Sequence, residues 1–200
     1  MIYTCHRINT IKDLKEIPSN FGIEIDLSTY KNKIVIKHDP FGKGEAFEKF
    51  INYFNHKFII LNVKCEGLEK KIIPILKKKN IENFFFLDSS FPFIFKLSKI
   101  LTKKFAIRIS DYESINTAFL MKNKIKWLWV DCFQQYKLSI PQIKKLKNYK
   151  FKICLVSPEL HKRKISRKDK KFFLNLKKNK INIDMICIKK NSFNKIKYFF

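Results

Sequence analysis

Glu24 and Asp26 lie two residues apart inside the apolar stretch Gly22-Ile-Glu-Ile-Asp-Leu27. In an extended strand they share one face, about 7 Å apart along the backbone. Ionised groups inside such a stretch require a partner or a metal. A few residues on, a polar turn at Lys31-Asn32 lets Ile34-Val-Ile36 fold back as the second arm of a hairpin, which delivers His38 and Asp39 to the same neighbourhood. His6, at the end of the first apolar run, supplies a second imidazole. A carboxylate pair flanked by two imidazoles is an arrangement for hydrolytic or phosphoryl chemistry, with a cation held by the acids and protons moved by the histidines.

The elements that must position these residues recur through the chain. Apolar runs occur at Ile2 to Cys5, Gly22 to Leu27, Phe58 to Val63, Phe84 to Leu87, Phe105 to Ile109, Trp127 to Val130, Phe151 to Val156 and Ile183 to Ile188. Lys-rich segments of helical length separate them, as in successive βα units. Eight such units predict an α/β fold, a compact (β/α)8 TIM-type barrel with a short β-hairpin after the second strand, formed by residues 1–200 as one domain. An open doubly wound sheet is the competing arrangement. Amphipathic spacing predicts helices over Glu45 to Asn55, with Phe47, Phe50, Ile51 and Phe54 on one face, and over Leu68 to Lys78, where Pro74 could kink the helix. Further helices are expected over Pro92 to Leu101 and Pro141 to Leu146, each with Pro near its start.

In a parallel barrel the C-terminal strand ends form one mouth, where such folds place their chemistry. The polar residues His6-Arg7, Glu24, Asp26, Lys64, Glu66, Asp88, Arg108, Asp131 and His161 all fall at those ends. Arg108 and Asp131 are expected to neutralise each other there, and His161 either binds substrate or is held in a polar loop cap. Trp127 and Trp129 share a strand face and are expected to pack in the core or against helices, whereas His56 is read as a surface residue.

The formal charge of +26 raises a polyanion partner, but only four of the 43 basic residues are Arg and no nucleic-acid motif is present. Solvated helix faces rich in Lys, in a composition also rich in Ile, Asn and Phe, account for the excess. No specific nucleic acid is therefore expected. The 5 cysteines form no C-x-x-C pair and read as free thiols in a reducing compartment. With no secretory leader and no apolar run near the ~18 residues of a membrane span, a cytoplasmic location is expected. Periodicity does not fix an oligomeric state.

His6-Arg7 on the first strand, Glu24-Ile-Asp26 on the second and Ile34-Val-Ile-Lys-His38-Asp39 on the hairpin resemble, in order and spacing, the glycerophosphodiester phosphodiesterases of the phospholipase C-like superfamily. The match covers roughly the first third of the chain. The resemblance implies that His6 and His38 are the acid–base pair, that Arg7 and Lys64 contact phosphate, and that Glu24, Asp26 and Glu66 hold a divalent cation, Mg²⁺ or Ca²⁺. It also implies a small-molecule phosphodiester substrate of glycerol or inositol type and a place in lipid metabolism.

Three departures bear on that expectation. The family's His-Arg-Gly is His6-Arg7-Ile8 here, no sizeable cap follows His38-Asp39, and the third strand's Glu-x-Lys is inverted to Lys64-Cys-Glu66. If Glu66 reaches the cation, the metal site survives. If the Lys64 ammonium stands where the cation would, it pairs with the acids and stabilises phosphorane charge itself, the solution that metal-independent phosphatidylinositol phospholipases C resemble. A non-catalytic relative that binds a phosphorylated ligand or sugar precursor at the mouth is the third alternative.

Overall fold

The computed structural model describes residues 1–39, 41–101 and 103–199; Pro40, Thr102 and Phe200 lie outside the described residues. Among the described residues ten strands follow in chain order: β1 (Ile2–Cys5), β2 (Gly22–Tyr30), β3 (Lys33–Ile36), β4 (Glu45–Ala46), β5 (Phe58–Val63), β6 (Phe84–Leu87), β7 (Ala106–Ile109), β8 (Trp127–Val130), β9 (Lys152–Val156) and β10 (Met185–Ile188). Eight of them pair in parallel in the cyclic order β1, β2, β5, β6, β7, β8, β9, β10. A single bridge from Phe86 to Phe105 joins β6 to β7 and closes the barrel. These are the eight apolar runs read from the sequence, in a (β/α)8 barrel rather than an open sheet.

Strand parity sorts the side chains into two layers. Outward residues such as Ile23, Ile25, Leu27, Ile59 and Leu61 pack under the helices, while Phe58, Ile60, Phe85, Trp127, Trp129, Cys154, Met185 and Cys187 fill the interior. Both tryptophans are thus core residues. The rings of Phe58 and Phe85 lie 5.2 and 5.0 Å from that of Trp127, and this aromatic plug floors the mouth. Gly22 pairs with Thr4 of β1, and a Cβ there would meet Thr4 Oγ1 at 2.6 Å.

The hairpin forms as its residue types require. Lys31 (φ 44) and Asn32 (φ 62) both adopt left-handed backbone, the demand of a two-residue turn whose twist matches its strands. β3 then runs antiparallel to β2, from Tyr30 opposite Lys33 to Leu27 opposite Ile36. The helix expected over residues 45–55 is shorter, α2 (Phe47–Ile51), because Glu45 and Ala46 pair with β3 as β4. α3 (Leu68–Lys78) starts from left-handed Gly67 (φ 88) and continues across Pro74. α4 (Phe91–Leu97) and α6 (Ile140–Asn148) stand at the two expected Pro-led positions.

His56 corrects its expected exposure. It is buried, its Nε2 lies 2.9 Å from the Ile17 carbonyl oxygen, and burial holds the imidazole below its usual pKa. All five cysteines are free, four of them buried and Cys65 half-buried. No described helix is long and apolar enough to cross a membrane.

Replacing Phe85 by Ala removes a fully buried ring from the interior plug. It is expected to cost about 3–5 kcal/mol of stability, measured by urea unfolding. A loss below about 1 kcal/mol would show that the interior is not packed in this way.

Candidate active site

Even positions of β2 point into the barrel, so Glu24 and Asp26 stand on the aromatic floor at 0% and 1% exposure. Each acid is met by donors from its neighbours. The Arg7 backbone N–H donates to Glu24 Oε2 at 2.7 Å and the Asn62 side-chain amide to Oε1 at 2.8 Å. Arg7 has left-handed backbone (φ 54), an uncommon conformation for a residue with a side chain, and this turn aims its N–H at Glu24. Asn9 clamps Asp26 from both sides: its amide donates to Oδ2 at 2.8 Å, and its oxygen accepts the Asp26 backbone N–H at 3.0 Å.

The cations complete the set. Lys64 Nζ lies 3.5 Å from Asp26 Oδ1 and 3.6 Å from Asp88 Oδ2, and Arg7 Nε lies 3.9 Å from Asp26 Oδ2. Asp26 Oδ1 has no hydrogen bond, so the Lys64 ammonium is its charge partner.

His6 leans on the same carboxylates, its Nε2 3.8 Å from Glu24 Oε2. Burial, reinforced by Arg7 and Lys64, lowers its pKa to about 3, so the ring is neutral at pH 7. Burial raises the Glu24 pKa, and Asp26 adds to the rise against the Arg7 and Asn62 hydrogen bonds. His38 arrives on the hairpin and is more open, at 41% exposure. Its Nε2 accepts from Arg7 Nη2 at 2.6 Å, which leaves the ring proton on Nδ1, donated to Asp39 Oδ1 at 2.8 Å. That hydrogen bond holds the exposed Asp39 carboxyl below its usual pKa. Arg7 therefore joins His38 to the acid pair, its backbone holding Glu24 and its side chain reaching Asp26 and His38, while His6 approaches Glu24 directly.

Glu66 is not brought to this group. It is exposed beyond the end of β5 and accepts from the Ser90 hydroxyl. Glu24, with the unbonded Oδ1 atoms of Asp26 and Asn62, would hold a divalent cation here, which would polarise a phosphodiester; Glu66 is not available as a further ligand, and Lys64 stands beside the same Asp26 oxygen. Both oxygens of Glu24 are engaged by N–H groups, Asp26 Oδ1 faces an ammonium, and no three His, Cys, Asp or Glu side chains among the described residues are grouped as ligands. Lys64 occupies the acidic side of the mouth that the inverted third-strand motif left open to either a metal or an ammonium.

The rest of the rim continues the pattern. Arg108 donates to both oxygens of Asp88, at 2.7 and 2.9 Å, and to Asp131 Oδ2 at 2.5 Å. The expected Arg108–Asp131 pair is thus one link of a longer network that includes Lys64 and His161. Sequence reasoning passed over Asn9 and Asn62. Parity with Phe58 and Ile60 would have placed Asn62 inside the barrel; Asn9 carried no signal beyond its nearness to His6. A separate cavity of about 710 Å³ opens at the opposite end of the barrel, among Ile2, Phe58, Trp127 and Lys152, and holds none of these groups.

No family model and no curated protein sequence matches the chain. Solved structures do match in fold. A provisionally assigned glycerophosphoryl diester phosphodiesterase of Agrobacterium tumefaciens gives a TM-score of 0.66 at 13% identity, over 94% of this chain and 92% of that one. A glycerophosphoryl diester phosphodiesterase of Parabacteroides distasonis gives 0.61 at 12% identity, over 98% and 86%. A phosphodiesterase of Oleispira antarctica in complex with its product sn-glycerol-3-phosphate gives 0.62 at 16% identity, over 94% and 92%. The likeness spans the whole barrel and is one of fold.

The lowered His6 pKa has a sign that can be tested. A histidine held neutral when folded contributes stability that is present above its unfolded pKa of about 6.5 and is lost as pH falls toward about 3. His6→Asn is therefore expected to lose less melting temperature than the wild type between pH 7 and pH 4. Equal losses would mean that His6 titrates normally.

Proposed function

We propose that this chain is a phosphoric diester hydrolase that cleaves a small glycerol- or inositol-type phosphodiester. One observation carries the reading: Arg7 links His38 to the buried Glu24–Asp26 pair, and His6 stands 3.8 Å from Glu24 in the same group at the C-terminal mouth of the barrel. The fold shared with glycerophosphodiester phosphodiesterases supports the reaction class, and the neighbour bound to sn-glycerol-3-phosphate supports a small glycerol-type ligand.

The chemistry follows from the side chains present. A phosphodiester anion entering the mouth competes for the Arg7 fork, whose two donors suit phosphate oxygens better than a single imidazole nitrogen. Arg7 then leaves His38, whose freed Nε2 takes up a proton while Asp39 stabilises the imidazolium. Water attacks phosphorus and gives its proton to neutral His6. The bond from phosphorus to the leaving alcohol oxygen breaks, and that oxygen takes the proton from His38. Lys64 and Arg7 face the charge that grows on the non-bridging oxygens. Attack by a neighbouring hydroxyl of the substrate in place of water would use the same imidazoles and give a cyclic phosphodiester; incorporation of ¹⁸O from labelled water into the first product separates the two routes.

Purified protein is expected to hydrolyse bis(p-nitrophenyl) phosphate and glycerophosphodiesters; on glycerophosphodiesters, whose alkoxide leaving group needs a proton, His6→Ala and His38→Ala are each expected to lower kcat by on the order of 10²–10⁴-fold. Absence of turnover in the wild type would leave the non-catalytic, ligand-binding alternative. The position of Lys64 favours its ammonium over a divalent cation as the source of positive charge. Lys64→Met is then expected to lower kcat by about 10²–10³-fold, and chelator is expected to leave the wild type unchanged. Saturable Mg²⁺ or Ca²⁺ binding by calorimetry, abolished in Glu24→Ala, would reverse that assignment.

A further inference from the structure

His161 stands on the part of the rim that the proposed reaction does not use. It ends a short 3-10 turn, Pro158–His161, that follows β9. The turn is tied at several points. The Ser157 hydroxyl donates to Glu159, Glu159 Oε1 accepts the Lys189 backbone N–H at 3.3 Å, and Leu160 packs against the barrel interior. Beyond the turn, Arg163 donates to the Cys132 carbonyl and pairs with Asp169 at 2.9 Å.

The ring itself is oriented by a buried acid. Asp131 Oδ2 accepts from Arg108 at 2.5 Å and from Trp129 Nε1 at 3.1 Å, and Oδ1 accepts the Cys132 backbone N–H at 2.9 Å and pairs with His161 Nε2. A carboxylate partnered by Arg108 only accepts, so His161 carries a proton on Nε2, and in the neutral ring Nδ1 is the nitrogen with the lone pair. No hydrogen bond among the described residues engages Nδ1, whereas both ring nitrogens of His38 are taken. Phe133 lies against the His161 ring at 4.5 Å, and Tyr112 follows at 6.0 Å, so a partly exposed aromatic shelf adjoins the open acceptor. The charge of Asp131 acts on His6, which places this corner beside the groups that handle phosphate.

A fixed acceptor beside an aromatic face suits an alcohol that carries free hydroxyls on a C–H-rich skeleton. We propose that His161 Nδ1 accepts a hydrogen bond from a hydroxyl of the substrate's alcohol, with Phe133 under its carbon skeleton, and so selects polyol phosphodiesters over those of simple alkyl alcohols. This inference rests on the phosphodiesterase reading and names the substrate class for the same mouth. Asp131 acts here as a positioning residue, since it fixes which ring nitrogen is left open.

The test compares two substrates that differ only in hydroxyls, the glyceryl and n-propyl esters of p-nitrophenyl phosphate. The wild type is expected to prefer the glyceryl ester in kcat/KM by about tenfold, chiefly through KM. His161→Ala and the bulkier His161→Leu are expected to bring the ratio to about one while keeping the rate on the propyl ester within about twofold. Asp131 retains its bonds to Arg108, Trp129 and Cys132 in both variants, so the barrel is expected to keep its fold, checked by circular dichroism. Long-range ¹H–¹⁵N spectra read the tautomer, expected as Nε2–H at His161 in the wild type and shifted toward Nδ1–H in Asp131→Asn. An unchanged substrate ratio in both His161 variants, or an equal fall on both esters, overturns the subsite while leaving the hydrolase intact. No turnover of either ester by the wild type overturns both together.

Discussion

Burial of the Glu24–Asp26 pair is the constraint on which the mouth depends. Removing two carboxylates from water costs several kcal/mol each even after relaxation, and two of them on one strand face repel as well. The structure meets that cost with directed donors rather than with solvent: the Arg7 N–H and Asn62 on Glu24, Asn9 on Asp26, and the charges of Lys64 and Arg7 beside it. Each of these demands fixes something else. Arg7 must adopt left-handed backbone to present its N–H, and once it does so its side chain lies between Asp26 and His38. The acid pair therefore sets the positions of the groups proposed to do chemistry as well as its own.

Around the rim the charges alternate. Arg7, Asp26, Lys64, Asp88, Arg108 and Asp131 follow one another at 3.9, 3.5, 3.6, 2.7 and 2.5 Å, and His161 closes the series. Such a chain holds Lys64 and Arg108 each between two acids, which reduces the entropy lost when a substrate anion is bound. It also gives the large positive charge of the protein a divided meaning. The lysines of α3 and α6 lie mostly in solvent, as composition alone suggested, whereas Lys64 and Arg108 belong to the mouth.

Most of the barrel could be read from the chain because β-branched and aromatic residues cluster in runs of strand length, and because parity within a strand decides which side chains enter the interior. The Lys31-Asn32 turn was legible for a local reason, since a polar pair there separates two apolar runs of strand length. What escaped depended on tertiary partners. Glu45 and Ala46 fit a helical pattern, yet the open edge of β3 recruits them into the sheet. His56 looks solvent-facing beside Asn55 and Lys57 until the Ile17 carbonyl offers it a buried partner. At the third strand, parity allowed Lys64 and Glu66 to share a face, but β5 ends at Val63, so Glu66 falls outside the regular alternation and turns to Ser90. Asn9 and Asn62 were invisible as site residues because an amide acquires a role only when a buried acid needs its donor.

The bare backbone at Gly22 has a mechanical consequence for the far end of its strand. β1 pairs with β2 through Thr4 opposite Gly22 and Cys5 opposite Ile23, and the next step along the same two strands carries His6 and Glu24. Any methyl group at position 22 would wedge the pair apart at its base, since Thr4 already stands 2.6 Å from where that group would go. Two stiff strands hinged at a widened foot splay at the top, so the 3.8 Å between imidazole and carboxylate there is set, two residues further along, by an atom that the chain leaves out.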